Sequence, residues 1–363
     1  MTRSTCALLG FMMLSLDAAA AQQPADTFVV GTARATRGTT AFGAIEVPSG
    51  SDSGLSIPVA VINGVRAGPV VALIAGTHGT EYSTVIAMQR IIGRIDGRHL
   101  GGAVIVLPAM NVPSFVQMVP RTNPTDGKMM VYGYPGDRNG SQSMRAMAFV
   151  TDQVIARSDV IVDLHGGDFD ENIRAPYAAV LRFGRPAQDA GNLELARAFG
   201  LDHIAFFDRD ASDPRIGSSL TGQALSRGKR AVLVAAGRSG IVTEDDIEII
   251  IRGSMGVLMK LGMLPGHSDE PARVDWLQAV ASVTAPGDGA FFATVAPNQH
   301  VKKGERVGYM TDLLGRKTQD IDSPVDGLVV LIRGVPSAWK NATLAEVFPE
   351  YEMLPPWRPT GPR

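Results

Sequence analysis

His78 and Glu81 stand three residues apart at the end of Ala72-Leu73-Ile74-Ala75-Gly76-Thr77-His78-Gly79-Thr80-Glu81. A short apolar run closed by glycine reads as a strand buried on both faces, with its polar residues where the chain leaves the sheet. With residues 82–94 continuing as a helix, His78 and Glu81 fall on its first turn and can face one ion. The stretch Asp159-Val160-Ile161-Val162-Asp163-Leu164-His165-Gly166-Gly167-Asp168 repeats the arrangement, an apolar strand ending in histidine, glycine and acid. In open α/β sheets ligands bind beyond the carboxyl ends of the strands, so two such ends converge although they are far apart in sequence. Two imidazoles and a carboxylate, with a fourth position open to water, are a common catalytic zinc set. The expected site is one Zn2+ per chain, held by His78, Glu81 and His165. His99, His203, His267 and His300 stand alone and read as surface or packing residues.

Asp163, two residues before His165, can orient that ligand from behind, and Asp168 sits on the glycine-rich turn after it. Capping or turn chemistry is an equal reading for either.

Taken together, His78-Gly79-Thr80-Glu81, then Arg121, then Pro135-Gly136, then Asp163-Leu164-His165-Gly166-Gly167-Asp168 resembles the succinylglutamate desuccinylase and aspartoacylase family of the zinc carboxypeptidase clan. The resemblance runs from about residue 55 to about residue 350. It implies a mixed α/β sheet flanked by helices, of the zinc-carboxypeptidase kind, with a small C-terminal all-β domain covering one side of the active-site mouth. It also implies an amide hydrolase of the deacylase or carboxypeptidase kind. In that family a loop arginine, followed by an Asn-Arg pair just before Phe-Pro-Gly, holds the substrate carboxylate and polarises its carbonyl. Arg121 matches the first arginine and takes the catalytic role of stabilising the oxyanion.

Two departures matter. Val131 and Tyr132 stand where the Asn-Arg pair is expected, read from Tyr134-Pro135-Gly136. A guanidinium fork recognises a carboxylate bidentately, and valine with a phenol does not, so a free α-carboxylate on the substrate is disfavoured. Met129, Met130, Tyr132 and Tyr134 make a softer, more apolar wall, or simply pack the loop. Tyr132 is the first candidate substrate-binding residue. Arg138, with Asn139, is the second: it can substitute from a shifted loop, although an arginine in a polar loop is commonly just solvated.

The second departure is Ala235, where the family's general-base glutamate is expected, two residues before Gly237. A metal acidifies water by itself. Loss of a positioned acid/base still costs about 10²–10⁴ in rate, and an amine leaves less readily than an ester alkoxide. Glu244 is the nearest downstream acid, but Thr243-Glu244-Asp245-Asp246 reads better as the capped start of a helix over residues 247–261. Two functions are therefore expected: a zinc hydrolase acting on an amide or ester of a small substrate, or a non-catalytic or weakly active zinc-binding relative.

Strands at residues 27–32, 55–64, 103–108 and 231–237 and helices near residues 142–158, 193–199 and 219–227 give an alternating α/β core, with Asn63-Gly64 as a hairpin signal. Residues 113–142 form a long loop rich in Pro, Gly, Asn and Asp, of the kind that carries function. Beyond a linker at Pro265-Gly266, short strands and glycine turns predict the small β domain. The turn Ser323-Pro324-Val325-Asp326-Gly327 resembles that of a biotinyl/lipoyl barrel but carries no lysine, so no prosthetic group is expected.

Arg3, the apolar run Cys6 to Leu16 and Ala18-Ala19-Ala20-Ala21 match a cleavable secretory signal over residues 1–21. The expected location is periplasmic or secreted. The remaining boundaries are residues 22–270 for the hydrolase-like domain and residues 271–363 for the β-barrel-like domain and tail. Cys6, the one cysteine, lies in the leader, so the processed chain forms no disulfide. With 45% hydrophobic and 19% charged residues and a net charge of -2, the composition suits a globular protein and argues against nucleic acid as a partner. No later segment supplies the ~20 apolar residues of a membrane span. The expected partner is a small-molecule substrate.

Overall fold

Apolar strands buried on both faces make the middle of the molecule. The computed structural model describes residues 26–210, 213 and 215–357; the expected leader lies outside them. After a short hairpin (Thr27–Val30 with Ala33–Thr36) come β1 (Thr40–Val47), β2 (Leu55–Asn63), β3 (Arg66–Ala75), α1 (Tyr82–Ile91) and β4 (Gly101–Leu107). Next are α2 (Gln142–Gln153), β5 (Val160–His165), β6 (Glu171–Arg182), α3 (Pro186–Ala198), β7 (His203–Asp208), α4 (Leu220–Ser226), β8 (Arg230–Arg238) and α5 (Glu244–Lys260). Of the later strands, β9 (Asp275–Leu277), β10 (Ala281–Thr284), β11 (Gly327–Arg333) and β12 (Thr343–Phe348) matter to the site.

β4, β3, β5 and β8 lie side by side and parallel, so their carboxyl ends share one rim of the sheet. Alternation decides what each strand buries. Val71, Leu73 and Ala75 pack with α1, α3 and α5, whereas Val70, Ala72 and Ile74 pack with α2 and α4. A sheet covered by helices on both sides is the arrangement that alternating strand and helix patterns demand. Thr243 caps α5 by accepting from the Asp246 amide, and Glu244, Asp245 and Asp246 fill its first turn, in keeping with the cap reading of that stretch.

Some elements differ from expectation. Asn63-Gly64 does not close a hairpin, because β4 inserts between β2 and β3. The Gly64 amide donates instead to the Gly102 carbonyl, and a Cβ at Gly64 would lie 2.5 Å from Leu100 O, so close backbone approach is what requires glycine here. α1 ends at Ile91 and passes into a 3-10 turn, Ile92–Arg94. Glu81 is its N-cap residue, and His78 precedes the helix altogether.

Among the described residues, the chain after residue 271 contains strands but no helix. This all-β region is joined to the central sheet. β11 pairs antiparallel with β6, β12 with β11, and β9 runs parallel to β7. One wall beside the parallel-strand rim is therefore built by C-terminal residues.

Candidate metal centre

The end of β3, the cap of α1 and the end of β5 bring His78, Glu81 and His165 together, with one ligand atom from each lying within 4.8 Å of the others. Glu81 is 2% exposed and sits between the rings. Its Oε1 is 2.9 Å from His78 Nδ1, and its Oε2 is 3.2 Å from His165 Nδ1. The imidazoles meet edge to face with centroids 5.1 Å apart. Burial pushes Glu81 up, but the two imidazoles outweigh it and hold the carboxyl at about 2. Burial opposes a charged His165, yet Glu81 and Asp163 outweigh it and raise the imidazole well above its usual range. The cluster is thus arranged to surround a positive charge. Buried His78 Nε2 has no hydrogen-bond partner, and the nitrogen, nitrogen and oxygen donors of the cluster suit a divalent metal.

Asp163 supports the centre from behind. Its Oδ1 is 3.4 Å from His165 Nε2, while Oδ2 accepts from Thr221 Oγ1 at 2.8 Å. Asp168 is fully buried, accepts from the Thr80 hydroxyl and from the Phe169 amide, and is raised chiefly by burial.

Arg121 lies in the long loop, in left-handed backbone at φ 60° and with its side chain 27% exposed. Its Nη2 donates to Asp170 at 2.6 Å and to Glu171 at 2.7 Å. Asp170 also accepts from buried Arg333 of β11 at 2.8 Å, so an ion-paired chain ties the C-terminal region to the loop. Burial raises Glu171 despite Arg121, with Glu81 adding to the rise.

Tyr132 is 63% exposed and, with Val131, Tyr177, Leu181, Phe183, Phe207 and Leu233, lines a cavity of about 510 Å³. The structure engages Arg138 elsewhere: it pairs with Asp152 and lies 4.6 Å from the Phe149 ring, on the exposed side of α2. Its guanidinium does not line that cavity, because two partners on the neighbouring helix hold it. Ala235 pairs with His165 on one side and Tyr177 on the other. Three cavity or wall residues, Tyr177, Glu171 and Glu346, escape sequence reasoning. Glu171 had a signal, since it closes the acidic run that begins at Asp168, but Tyr177 and Glu346 stand in ordinary strand patterns.

A sheet covered by helices on both faces, with a His-Glu-His cluster at the rim of its parallel strands, defines the class as an α/β protein with a candidate metal centre. Residues 67–261 match the model of the succinylglutamate desuccinylase/aspartoacylase catalytic domain, and the chain belongs to that family. It is 29% identical over 324 residues to N-alpha-acetyl-L-2,4-diaminobutyric acid deacetylase of Halomonas elongata, covering 86% of this chain and 92% of that protein. The crystal structure of a succinylglutamate desuccinylase/aspartoacylase from Rhodobacter sphaeroides superposes with a TM-score of 0.76 at 26% identity, covering 86% of this chain and 96% of that one. The product-bound ectoine utilization protein EutE (DoeB) from Ruegeria pomeroyi shares the fold, with a TM-score of 0.79 at 22% identity over 90% of this chain and 99% of that one.

Proposed function

We infer that this protein is an exported zinc-dependent deacylase, cleaving an amide, or an ester, between an acyl group and a small substrate. The observation that carries the reading is the buried His78–Glu81–His165 cluster at the rim of the sheet. When bound, zinc supplies Lewis acidity toward water and a carbonyl oxygen. Arg121 stabilises the developing oxyanion. Asp170 and Glu171 both engage its Nη2, which leaves Nη1 and Nε available as donors. Tyr132, with Tyr177 and Leu233, receives the apolar or aromatic part of the substrate. The relative named as a deacetylase supports cleavage at an N-acyl bond. The leader reading of residues 1–21 supports a periplasmic or extracellular location for the activity.

A second reading, a zinc-binding relative without turnover, is favoured by Ala235 together with Val131 and Tyr132. One experiment separates the two. The purified protein is assayed for zinc content and screened on N-acyl amino acids, peptides and esters, before and after chelation and zinc return. The expected result is one zinc per chain and chelator-sensitive hydrolysis of substrates with a large apolar group. Stoichiometric zinc with no hydrolysis of any substrate leaves the silent relative standing, and absence of zinc removes both.

A further inference from the structure

Strand β8 passes the metal cluster with a buried methyl group at Ala235, which shares one apolar cluster with Tyr177 and Phe348. A carboxylate approaches this region from another direction. Glu346 belongs to β12, two residues before Phe348 and so on the same face of the strand. The Phe348 ring lies 5.3 Å from the Tyr177 ring, and Tyr177 is the residue that pairs with Ala235 across the sheet. The Tyr177 phenol is pushed up by burial and by the surrounding carboxylates of Glu346, Glu171 and Glu81. The Tyr177 phenol is thus close enough to feel both Glu346 and Glu81 of the metal cluster.

Glu346 is partly buried, and among the described residues no donor hydrogen-bonds or ion-pairs with its carboxylate. The neighbouring carboxylates all have partners: Asp163 has Thr221, Asp168 has Thr80, and Asp170 and Glu171 have Arg121. An acid drawn partly out of water without a partner favours its protonated form, and such groups concentrate where proton chemistry occurs.

We propose that Glu346 is the general base of this enzyme, supplying from the C-terminal wall the carboxylate that β8 lacks at Ala235. The assignment rests on the deacylase reading. Glu346 takes one proton from the attacking water as the water oxygen bonds to the acyl carbon. It returns that proton to the leaving nitrogen as the carbon–nitrogen bond breaks, giving a carboxylic acid product and a free amine with the glutamate regenerated. The groups that set its titration are Glu171 and Tyr177 from β6 and Arg121 from the loop; Ser282 and Leu331, its neighbours on β10 and β11, are uncharged. Burial, then Glu171, raises the carboxyl to about 7 against the pull of Arg121. That value suits a group that must both accept and give a proton near neutral pH.

The test compares wild type, E346Q, A235E and A235E/E346Q, each with its zinc content measured. E346Q is expected to keep its zinc and lose about 10²–10⁴ in kcat. A235E/E346Q is expected to recover at least ten-fold of that loss, which a merely structural Glu346 would not allow. Independently of turnover, the infrared carboxyl band absent from E346Q but present in zinc-free wild type is expected to titrate near neutrality. Zinc-loaded E346Q turning over within threefold of wild type overturns the assignment. So does a band titrating in the ordinary glutamate range, or a double variant no better than E346Q. If wild type itself hydrolyses nothing, the deacylase reading falls and takes this assignment with it.

Discussion

β5 and β8 are adjacent parallel strands, yet where they pair beside the metal cluster only one of them carries a polar side chain. His165 closes β5, and its cross-strand partner on β8 is Ala235. With Glu346 as the proposed base, the two halves of such a site are separable. The metal cluster is built from short motifs at strand ends, where one register error would send the ligand to the other face of the sheet. The proton-handling group needs only to reach the same space, and a wall contributed by another part of the chain can supply it. The wall beside Ala235 comes from β11 and β12, and the ion-paired chain Arg333–Asp170–Arg121–Glu171 ties it to the loop that carries Arg121.

His165→Ala is the most severe test of the β5 side. It is expected to abolish stoichiometric zinc binding, read by elemental analysis, along with all hydrolysis; retained zinc would show that His165 is not a ligand. Next comes Arg121→Ala, expected to lower kcat by about 10²–10³ with zinc unchanged. An effect confined to KM would make Arg121 a binding residue only.

Glu346 gives a stability test of the wall that needs no substrate. Its carboxyl is raised from 4.5 to about 7 in the folded protein. Between those values the folded chain holds a proton that the unfolded chain releases. The contribution is fully present below the lower value and is lost as pH rises through the higher one, an interval worth about 3 kcal/mol. Glu346→Gln should therefore be the more stable protein at pH 8 and show a flatter pH dependence in urea unfolding at pH 5 and 8. Identical slopes for the two proteins would place the carboxylate in solvent.

Asp163→Asn sharpens the β5 side, because Asp163 lies behind His165. Zinc affinity is expected to fall about 10–100-fold in a competitive chelator titration. An unchanged affinity would reduce Asp163 to a partner of Thr221. The smallest effect belongs to the cavity rim, where Tyr132→Ala is expected to raise KM for apolar substrates by about tenfold or less, with kcat kept, since the ring is already largely exposed. No change in the substrate series would remove Tyr132 from the pocket.

The sequence by itself determined the strand cores, the family and the two motifs that end in His78, Glu81 and His165, because period-two burial and residue type are local properties. The family resemblance also exposed the gap at Ala235. Tertiary structure decided which residues face that gap. Arg138 turned to Asp152 and Phe149, Asn63-Gly64 lost its hairpin to β4, and Glu346 arrived beside Tyr177 from the far end of the chain. Sheet order and the pairing of C-terminal strands are set by long-range burial rather than by local spacing, so a carboxylate in an unremarkable strand pattern becomes a site residue only once the sheet has closed around it.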